Sequence, residues 1–358
     1  MTFSFFEFNP QEFPLKKIAM ASAALLALVN AQAQSTVTVF GVADVGYVHT
    51  SASGVSKNQL ASDGNTSSRL GFRGTEDLGG GLMASFWLEG AFSADAPGTL
   101  SLARRSTVEL KGSFGEIRLG RDYVPTFTSL TVAHHPFGTN GLGNAGQMFY
   151  PVAAGGTTSS THVRSNNGIN YFTPTVGGFQ ANLMYAYGEK NSNVGVTKND
   201  DTYFGGRVSY GNGPLNLAYA TGKTQYATGD YTQSNFAANY QMGPAKLMFL
   251  WGENKVGATK TTSTLIGTQY KVSDAGEVRA SYTALKAAGF AAGSDVGDAS
   301  QVTIGYVHNL SKRTALYTNY SVVDNKGVGK KFVVGDGNGV TTAGGNSTGY
   351  QFGVRHSF

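Results

Sequence analysis

The chain ends Tyr350-Gln351-Phe352-Gly353-Val354-Arg355-His356-Ser357-Phe358. In an extended backbone successive side chains point to opposite faces, so Tyr350, Phe352, Val354, His356 and Phe358 share one face while Gln351, Gly353, Arg355 and Ser357 share the other. A helix would scatter both sets around its circumference. The same period of two returns upstream. In Leu82-Met83-Ala84-Ser85-Phe86-Trp87-Leu88-Glu89 the even positions are apolar and the odd ones mixed. Leu215, Leu217 and Tyr219 alternate with Asn216 and Ala218, and Val302, Ile304 and Tyr306 alternate with Thr303 and Gly305.

Placing strands between turn signals gives about sixteen segments. They cover 36–49, 66–76, 81–94, 103–112, 115–121, 162–173, 178–190, 200–211, 213–225, 231–242, 244–256, 260–273, 275–288, 299–309, 313–325 and 348–358. Their connections alternate between tight and long. The tight ones, such as Gly112-Ser113-Phe114-Gly115, Gly211-Asn212-Gly213 and Gly243-Pro244, carry turn chemistry. The long ones are 50–65, 122–161, 289–298 and 325–347. Short turns at one end, long loops at the other and an even strand count predict a transmembrane β-barrel. A sheet in lipid leaves no edge unpaired, so it closes. The expected fold is therefore all-β, a 16-stranded antiparallel transmembrane β-barrel over residues 34–358. A soluble β-sandwich or lectin-like fold also has one apolar face per strand, but it gives no reason for short and long loops to alternate.

Composition agrees with this reading. Only 14% of the chain is charged, against the usual quarter or so, while Gly numbers 49 and aromatics reach 12%. The absence of Cys excludes a disulfide framework and a thiolate metal site. Lys16 and Lys17 precede an apolar run from Ile18 to Val29, soon followed by Ala31-Gln32-Ala33. This pattern predicts a signal peptide over 1–33, cleaved before Gln34. The run is too short for a bilayer span, which needs roughly 20 residues. Residues 1–14 hold five Phe and two Glu, unlike a basic leader start, so translation is expected to begin near Leu15. N-terminal sequencing of the precursor checks this. The net charge of +5 is dispersed, with no Lys/Arg run longer than two, and does not point to nucleic acid.

The longest interruption, 122–161, begins a charge anomaly: from Tyr123 through Gly188 there is no Asp or Glu, although the chain holds 22. Strand parity supplies the inward-facing candidates. Leu70 and Phe72 fit the lipid side, which turns Arg69 and Arg73 inward. Val108 and Leu110 do the same for Arg105, Thr107, Glu109 and Lys111, and Ile169 and Tyr171 for Arg164, Asn166 and Asn170. An Arg facing hydrocarbon at mid-depth costs roughly 2–4 kcal/mol, which favours this assignment. By the same parity Arg118, Arg207, Arg279 and Arg355 extend an inward basic track.

Several ordered runs carry a family resemblance. They are Ser68-Arg69-Leu70-Gly71-Phe72-Arg73-Gly74-Thr75-Glu76-Asp77-Leu78-Gly79, Arg104-Arg105-Ser106-Thr107-Val108, Gly115-Glu116-Ile117-Arg118-Leu119-Gly120-Arg121, Gly305-Tyr306-Val307-His308-Asn309-Leu310-Ser311-Lys312-Arg313-Thr314 and the terminal strand. With these the chain resembles the trimeric general porins of Gram-negative bacteria, most closely those of beta-proteobacteria. The resemblance spans residues 34–358. It implies an outer-membrane barrel around a water-filled pore for passive diffusion of small hydrophilic solutes and ions, surrounded by membrane lipid and lipopolysaccharide and assembled as a homotrimer.

In such porins the third loop, here 122–161 with Asp122 at its start, folds inward as a constriction. Its Pro136-Phe137-Gly138 resembles the Pro-Glu-Phe-Gly tip of some members without the Glu. The resemblance maps the basic wall opposite that loop onto Arg69, Arg104 or Arg105, and Arg164. Parity favours Arg105 of the adjacent pair, and Arg104 turns inward only where the strand is irregular. Such loops normally carry acids, but this one offers only His134 and His135 at its tip, with Glu116 on the preceding strand. The expectation is therefore anion selectivity, strengthened below about pH 6.5 if these His titrate normally. A substrate-specific anion or organic-acid channel is the alternative within transport.

Other classes fit less well. Adjacent His134 and His135 point apart in extended chain and lack nearby acids, so no metal site or cofactor is expected. None of the six His lies in a nucleophile motif, which argues against a barrel hydrolase and any enzymatic role. An adhesin barrel would use long loops such as 325–347, and conductance in planar bilayers separates it from a porin.

Overall fold

A computed structural model describes residues 36–358 except 97, 131–132, 151–160, 191–194, 336 and 338. The expected signal peptide and the end of the 122–161 loop lie outside the described residues. Among the described residues the strands are β1 Thr36–Ala52, β2 Val55–Ser62, β3 Arg69–Gly79, β4 Leu82–Ala91, β5 Ser101–Gly112, β6 Gly115–Tyr123, β7 Arg164–Phe172, β8 Phe179–Ala186 and β9 Tyr203–Asn212. They continue as β10 Leu215–Thr224, β11 Tyr231–Met242, β12 Ala245–Val256, β13 Thr259–Lys271, β14 Gly276–Ala288, β15 Ala299–Asn309, β16 Thr314–Asn325 and β17 Asn346–Ser357. Each pairs antiparallel with its neighbour, and β17 returns to β1, where Asp44 faces Arg355 and Tyr47 faces Phe352. The carbonyl and N–H of Gly41 and Phe358 exchange hydrogen bonds at 3.0 Å, so the last residue completes the ring.

Seventeen strands make sixteen positions around the wall. β2 pairs with the upper half of β1 and β3 with the lower half, end to end on one edge. Residues 50–65, expected as a long loop, are instead mostly strand. β1 runs on to Ala52 and turns back at Ser53-Gly54, whose φ values of 50° and 79° mark a left-handed two-residue hairpin turn. The alternation through 55–62 is too polar to show as a strand in sequence.

Residues 63–68 then cross inward and are tied to the wall at Asp44. Its carboxylate accepts the N–H groups of Asn65 and Thr66 at 2.9 and 2.7 Å and the hydroxyl of Tyr317, and it is fully buried. Replacing Asp44 with Ala leaves these buried donors unsatisfied and is expected to cost about 2–4 kcal/mol. A lowered temperature of barrel unfolding, read by heat-modified electrophoretic mobility, checks it.

The two faces divide cleanly. Val37, Val108, Leu119, Ile169, Phe204, Val208, Ile266, Val302, Ile304 and Phe352 are exposed on the outside. Asn235, Asn239, Asn254, Ser263, Thr283, Gln301, Thr303, Ser321 and Gln351 are buried on the inside. An apolar exterior over a polar interior is an aqueous cylinder in a bilayer. No helix among the described residues is long and apolar enough to cross a membrane.

Candidate functional site

The segment after β6 runs along the inner wall of β10–β17. It forms single helical turns at Pro125–Thr128 and Gly146–Phe149, and its backbone carbonyls are taken up by wall side chains. Asn235 donates to Thr126 O at 2.8 Å, Asn239 to Ala133 O at 2.7 Å, Gln269 to Pro136 O at 2.9 Å, Gln301 to Leu142 O at 2.9 Å and Asn254 to Phe149 O at 2.7 Å. A non-regular segment inside a barrel needs such partners for its backbone. The amides on these strands are therefore the seat of the loop. Leu130, Ala145 and Phe149 add an apolar contact to Ala218, Ala237, Leu250 and Leu265.

The loop tip is seated on wall glycines. A Cβ on Gly267 would lie 2.4 Å from Pro136 Cγ, and one on Gly305 would lie 2.9 Å from a Phe137 ring carbon. Gly138 closes the tip at φ 67°, its N–H donating to His135 O at 3.1 Å. Gly267→Val is accordingly expected to lift the tip, with altered single-channel conductance and faster proteolysis of the loop as the check.

This geometry corrects the role expected for His134 and His135. Both are buried against the far wall, at 0% and 2% exposure, with Pro136 and Phe137 beside them, so none of these side chains faces the basic wall. Asn216 Oδ1 can only accept, so His134 Nε2 donates to it at 2.8 Å. His135 Nδ1 accepts the N–H of Phe137 at 3.1 Å, which puts its proton on Nε2. Burial lowers His134 to about 4, with Arg207 and Lys246 adding to the effect, and lowers His135 to about 3. Strengthening of anion preference by these His near pH 6.5 is therefore overturned: both stay neutral there.

The opposite wall, β3–β7, carries the charges. Arg104 Nε meets Glu89 at 2.6 Å, with Arg69 3.9 Å from the same oxygen. Arg105 bonds Glu109 and Thr107 and lies 3.9 Å from Asp122. Arg118 bonds Glu116 and, at 3.0 Å, Asp122; Lys111 reaches Glu116 at 2.9 Å. The arginines are thus not bare, as the acid-free loop alone suggested. They interleave with wall carboxylates contributed by neighbouring strands.

Both members of the adjacent pair reach this network. Arg105 has inward parity; Arg104 reaches it because the β4–β5 register shifts between Glu89 and Ala91. Arg104 and Arg164 converge on one atom, donating to the Tyr123 hydroxyl at 3.2 and 2.7 Å, and the Arg164 guanidinium lies 4.3 Å over that ring. Simple parity fails on β7. Asn167 takes φ 53°, the register to β6 shifts, and Ser165 rather than Asn166 sits opposite Asp122. Asn166 accordingly turns out toward Arg121, which donates to it at 2.6 Å, instead of inward. Asn170 is buried on the inside as expected.

Of the other inward arginines, Arg207 donates to Ser129 of the loop at 3.1 Å and Arg279 pairs with Glu277 at 2.7 Å. Sequence reasoning missed one further element. The 326–345 loop also dips inward, where Phe332 and Val334 pack on Leu142, Met148 and Leu285. Gln147 and Val333 exchange hydrogen bonds, which ties the two loops together. The signal was Phe332-Val333-Val334, an apolar triplet amid glycines and polar residues.

Comparison with known proteins places this arrangement. The family model described as Gram-negative porin matches residues 19–328. Outer membrane porin protein 32 of Delftia acidovorans is 42% identical over 363 aligned residues, covering 96% of this chain and 100% of that one. An outer membrane porin protein of Bordetella pertussis is 28% identical over 257 residues, covering 64% of this chain and 62% of that one. An anion-selective porin from Comamonas acidovorans superposes with TM-score 0.82 at 39% identity, covering 91% of this chain and 100% of that structure. With its closed antiparallel barrel, inward loop and charged inner wall, the chain belongs to the Gram-negative porin family.

Proposed function

We propose that this protein is an outer-membrane channel for passive diffusion of small hydrophilic solutes and ions, with a preference for anions. The carrying observation is the charge balance of the β3–β7 wall. Arg69, Arg73, Arg104, Arg105, Lys111, Arg118 and Arg164 stand against Glu89, Glu109, Glu116 and Asp122, and the facing loop has no carboxylate between Tyr123 and Thr161. Three positive charges remain in excess around the passage. In a narrow pore with low-dielectric walls such an excess raises the local concentration of anions. The anion-selective porin from Comamonas acidovorans supports the same reading.

Arg69, Arg104, Arg105 and Arg164 are the residues assigned to the constriction's basic side. Arg73, Arg118, Glu109, Lys111 and Glu116 line the wall, and Asp122 holds the base of the loop. His134, His135, Pro136, Phe137 and Gly138 act as its anchor rather than its charge. The family resemblance implies a homotrimer in contact with lipid and lipopolysaccharide, and a leader over 1–33 removed before Gln34. Reversal potentials in asymmetric KCl test the selectivity: a preference for K⁺ overturns it.

A further inference from the structure

We propose that Arg73, held in cation–π contact with Phe40 and Trp87, forms a second anion-binding step in the passage, on the periplasmic side of Arg69 and beside Arg105, and that it takes small oxyanions such as carboxylates and phosphate. The inference rests on the anion-selective reading above and adds a residue outside the constriction.

On β3, Arg73 sits directly across from Trp87 of β4 and Thr38 of β1. Its guanidinium carbon is 5.2 Å from the centroids of both the Phe40 and Trp87 rings. Those rings pack edge-on at 4.9 Å, and Arg105 covers Trp87 at 4.7 Å. Gly71 makes the platform possible. A Cβ there would lie 2.4 Å from Phe40 Cζ, so only glycine lets that ring lie over the strand.

What separates Arg73 from the other basic groups of the ion-pair network on β3, β5 and β6 is its lack of an acid. Arg69, Arg104, Arg105, Lys111 and Arg118 each have a carboxylate within 4.0 Å, whereas among the described residues Arg73 has none. Glu76 lies on the other face of the strand, and Asp77 is taken up by Gly79 N–H at the turn. Arg73 is exposed to the lumen. A guanidinium held by cation–π contact does not spend its N–H groups on that contact, which leaves them for the two-point grip that suits an oxyanion. Four residues of strand put Arg73 about 13 Å below Arg69. That exceeds the Debye length of about 10 Å at 0.1 M salt, so Arg73 is a step separate from Arg69 and adjoins Arg105 across the shared Trp87 ring.

The test uses the full-length protein in planar bilayers and in detergent. In 0.1 M KCl, Arg73→Gln is expected to lower the Cl⁻/K⁺ permeability ratio by up to roughly sevenfold, since one unit charge at about 7 Å in water shifts Cl⁻ and K⁺ about threefold each in opposite directions. Arg73→Lys keeps the charge and most of the ratio. In a Trp251→Phe background Trp87 is the only tryptophan left. Inorganic phosphate is then expected to change its emission saturably, and the change is lost in both Arg73→Gln and Arg73→Lys, since Lys lacks the planar fork. A wild-type ratio in Arg73→Gln, or a phosphate response that persists there, overturns this step while leaving the selectivity reading intact. Absence of anion preference in the wild-type protein overturns both.

Discussion

Replacing Arg69, Arg104, Arg105 and Arg164 together with Gln is expected to invert the selectivity of the pore from anions to cations. These are four of the seven basic groups on the β3–β7 wall, and Glu89, Glu109, Glu116 and Asp122 remain. The wall then changes from an excess of three positive charges to an excess of one negative charge. Each unit charge at about 7 Å contributes roughly 0.6 kcal/mol in water, or close to threefold in local ion concentration. The combined change in Cl⁻/K⁺ permeability ratio is therefore expected to exceed about tenfold at 0.1 M KCl and to shrink at 1 M, where the Debye length falls to about 3 Å. Reversal potentials at both salts check it. Retained anion preference in the quadruple variant would place selectivity elsewhere, on Arg207, Arg279 or Arg355. Single Arg104→Gln is expected to do less, because it releases Glu89 to Arg69, already 3.9 Å away.

The second large effect concerns acid. His134 and His135 are neutral when the loop is seated, at about 4 and about 3, whereas a released loop titrates near the ordinary 6.5. The released state therefore binds more protons across this window, and seating is weakened as pH falls from about 6.5 toward 4 and then 3. At full effect the two histidines contribute about 3 and 5 kcal/mol, enough to unseat the tip from Asn216 and the wall glycines. Conductance and selectivity are expected to stay level from pH 8 to 5 as far as these residues govern them, and the loop to become protease-sensitive near pH 4. His134→Gln with His135→Gln removes the titration, so its loop should show no acid transition in that range. A transition of unchanged midpoint in the double variant would assign acid release to other groups.

The barrel was legible because lipid imposes a strict rule on each strand separately. An outward Tyr350, Phe352 and Val354 beside an inward Gln351 and Arg355 needs no knowledge of the partner strand, and the observed β15, Ala299–Asn309, coincides with its expected bounds. Legibility ended where the period of two broke. Nothing in Arg164-Ser165-Asn166-Asn167 announces that Asn167 adopts φ 53° and shifts everything before it by one position. Nor does Leu102-Ala103-Arg104 announce the register shift that lets Arg104 reach Glu89. Bulges depend on which residues the neighbouring strand offers, so one strand read alone does not contain them.

The inward loop shows the same division. Its missing acids and its place after β6 are properties of order along the chain. That the tip, with His134 and His135, turns from the passage to the far wall is not, because Asn216, which meets His134, and Gly267 and Gly305, which meet Pro136 and Phe137, lie 80 or more residues away. What the sequence alone determined is an exported, cysteine-free chain of short amphipathic strands that must close in a membrane, with more basic than acidic groups turned inward. Only the tertiary structure decided which arginines are neutralised by a carboxylate and which, like Arg73, are not. Alternation is a local consequence of backbone geometry, whereas ion pairing depends on register and distance between strands that the chain brings together only by folding.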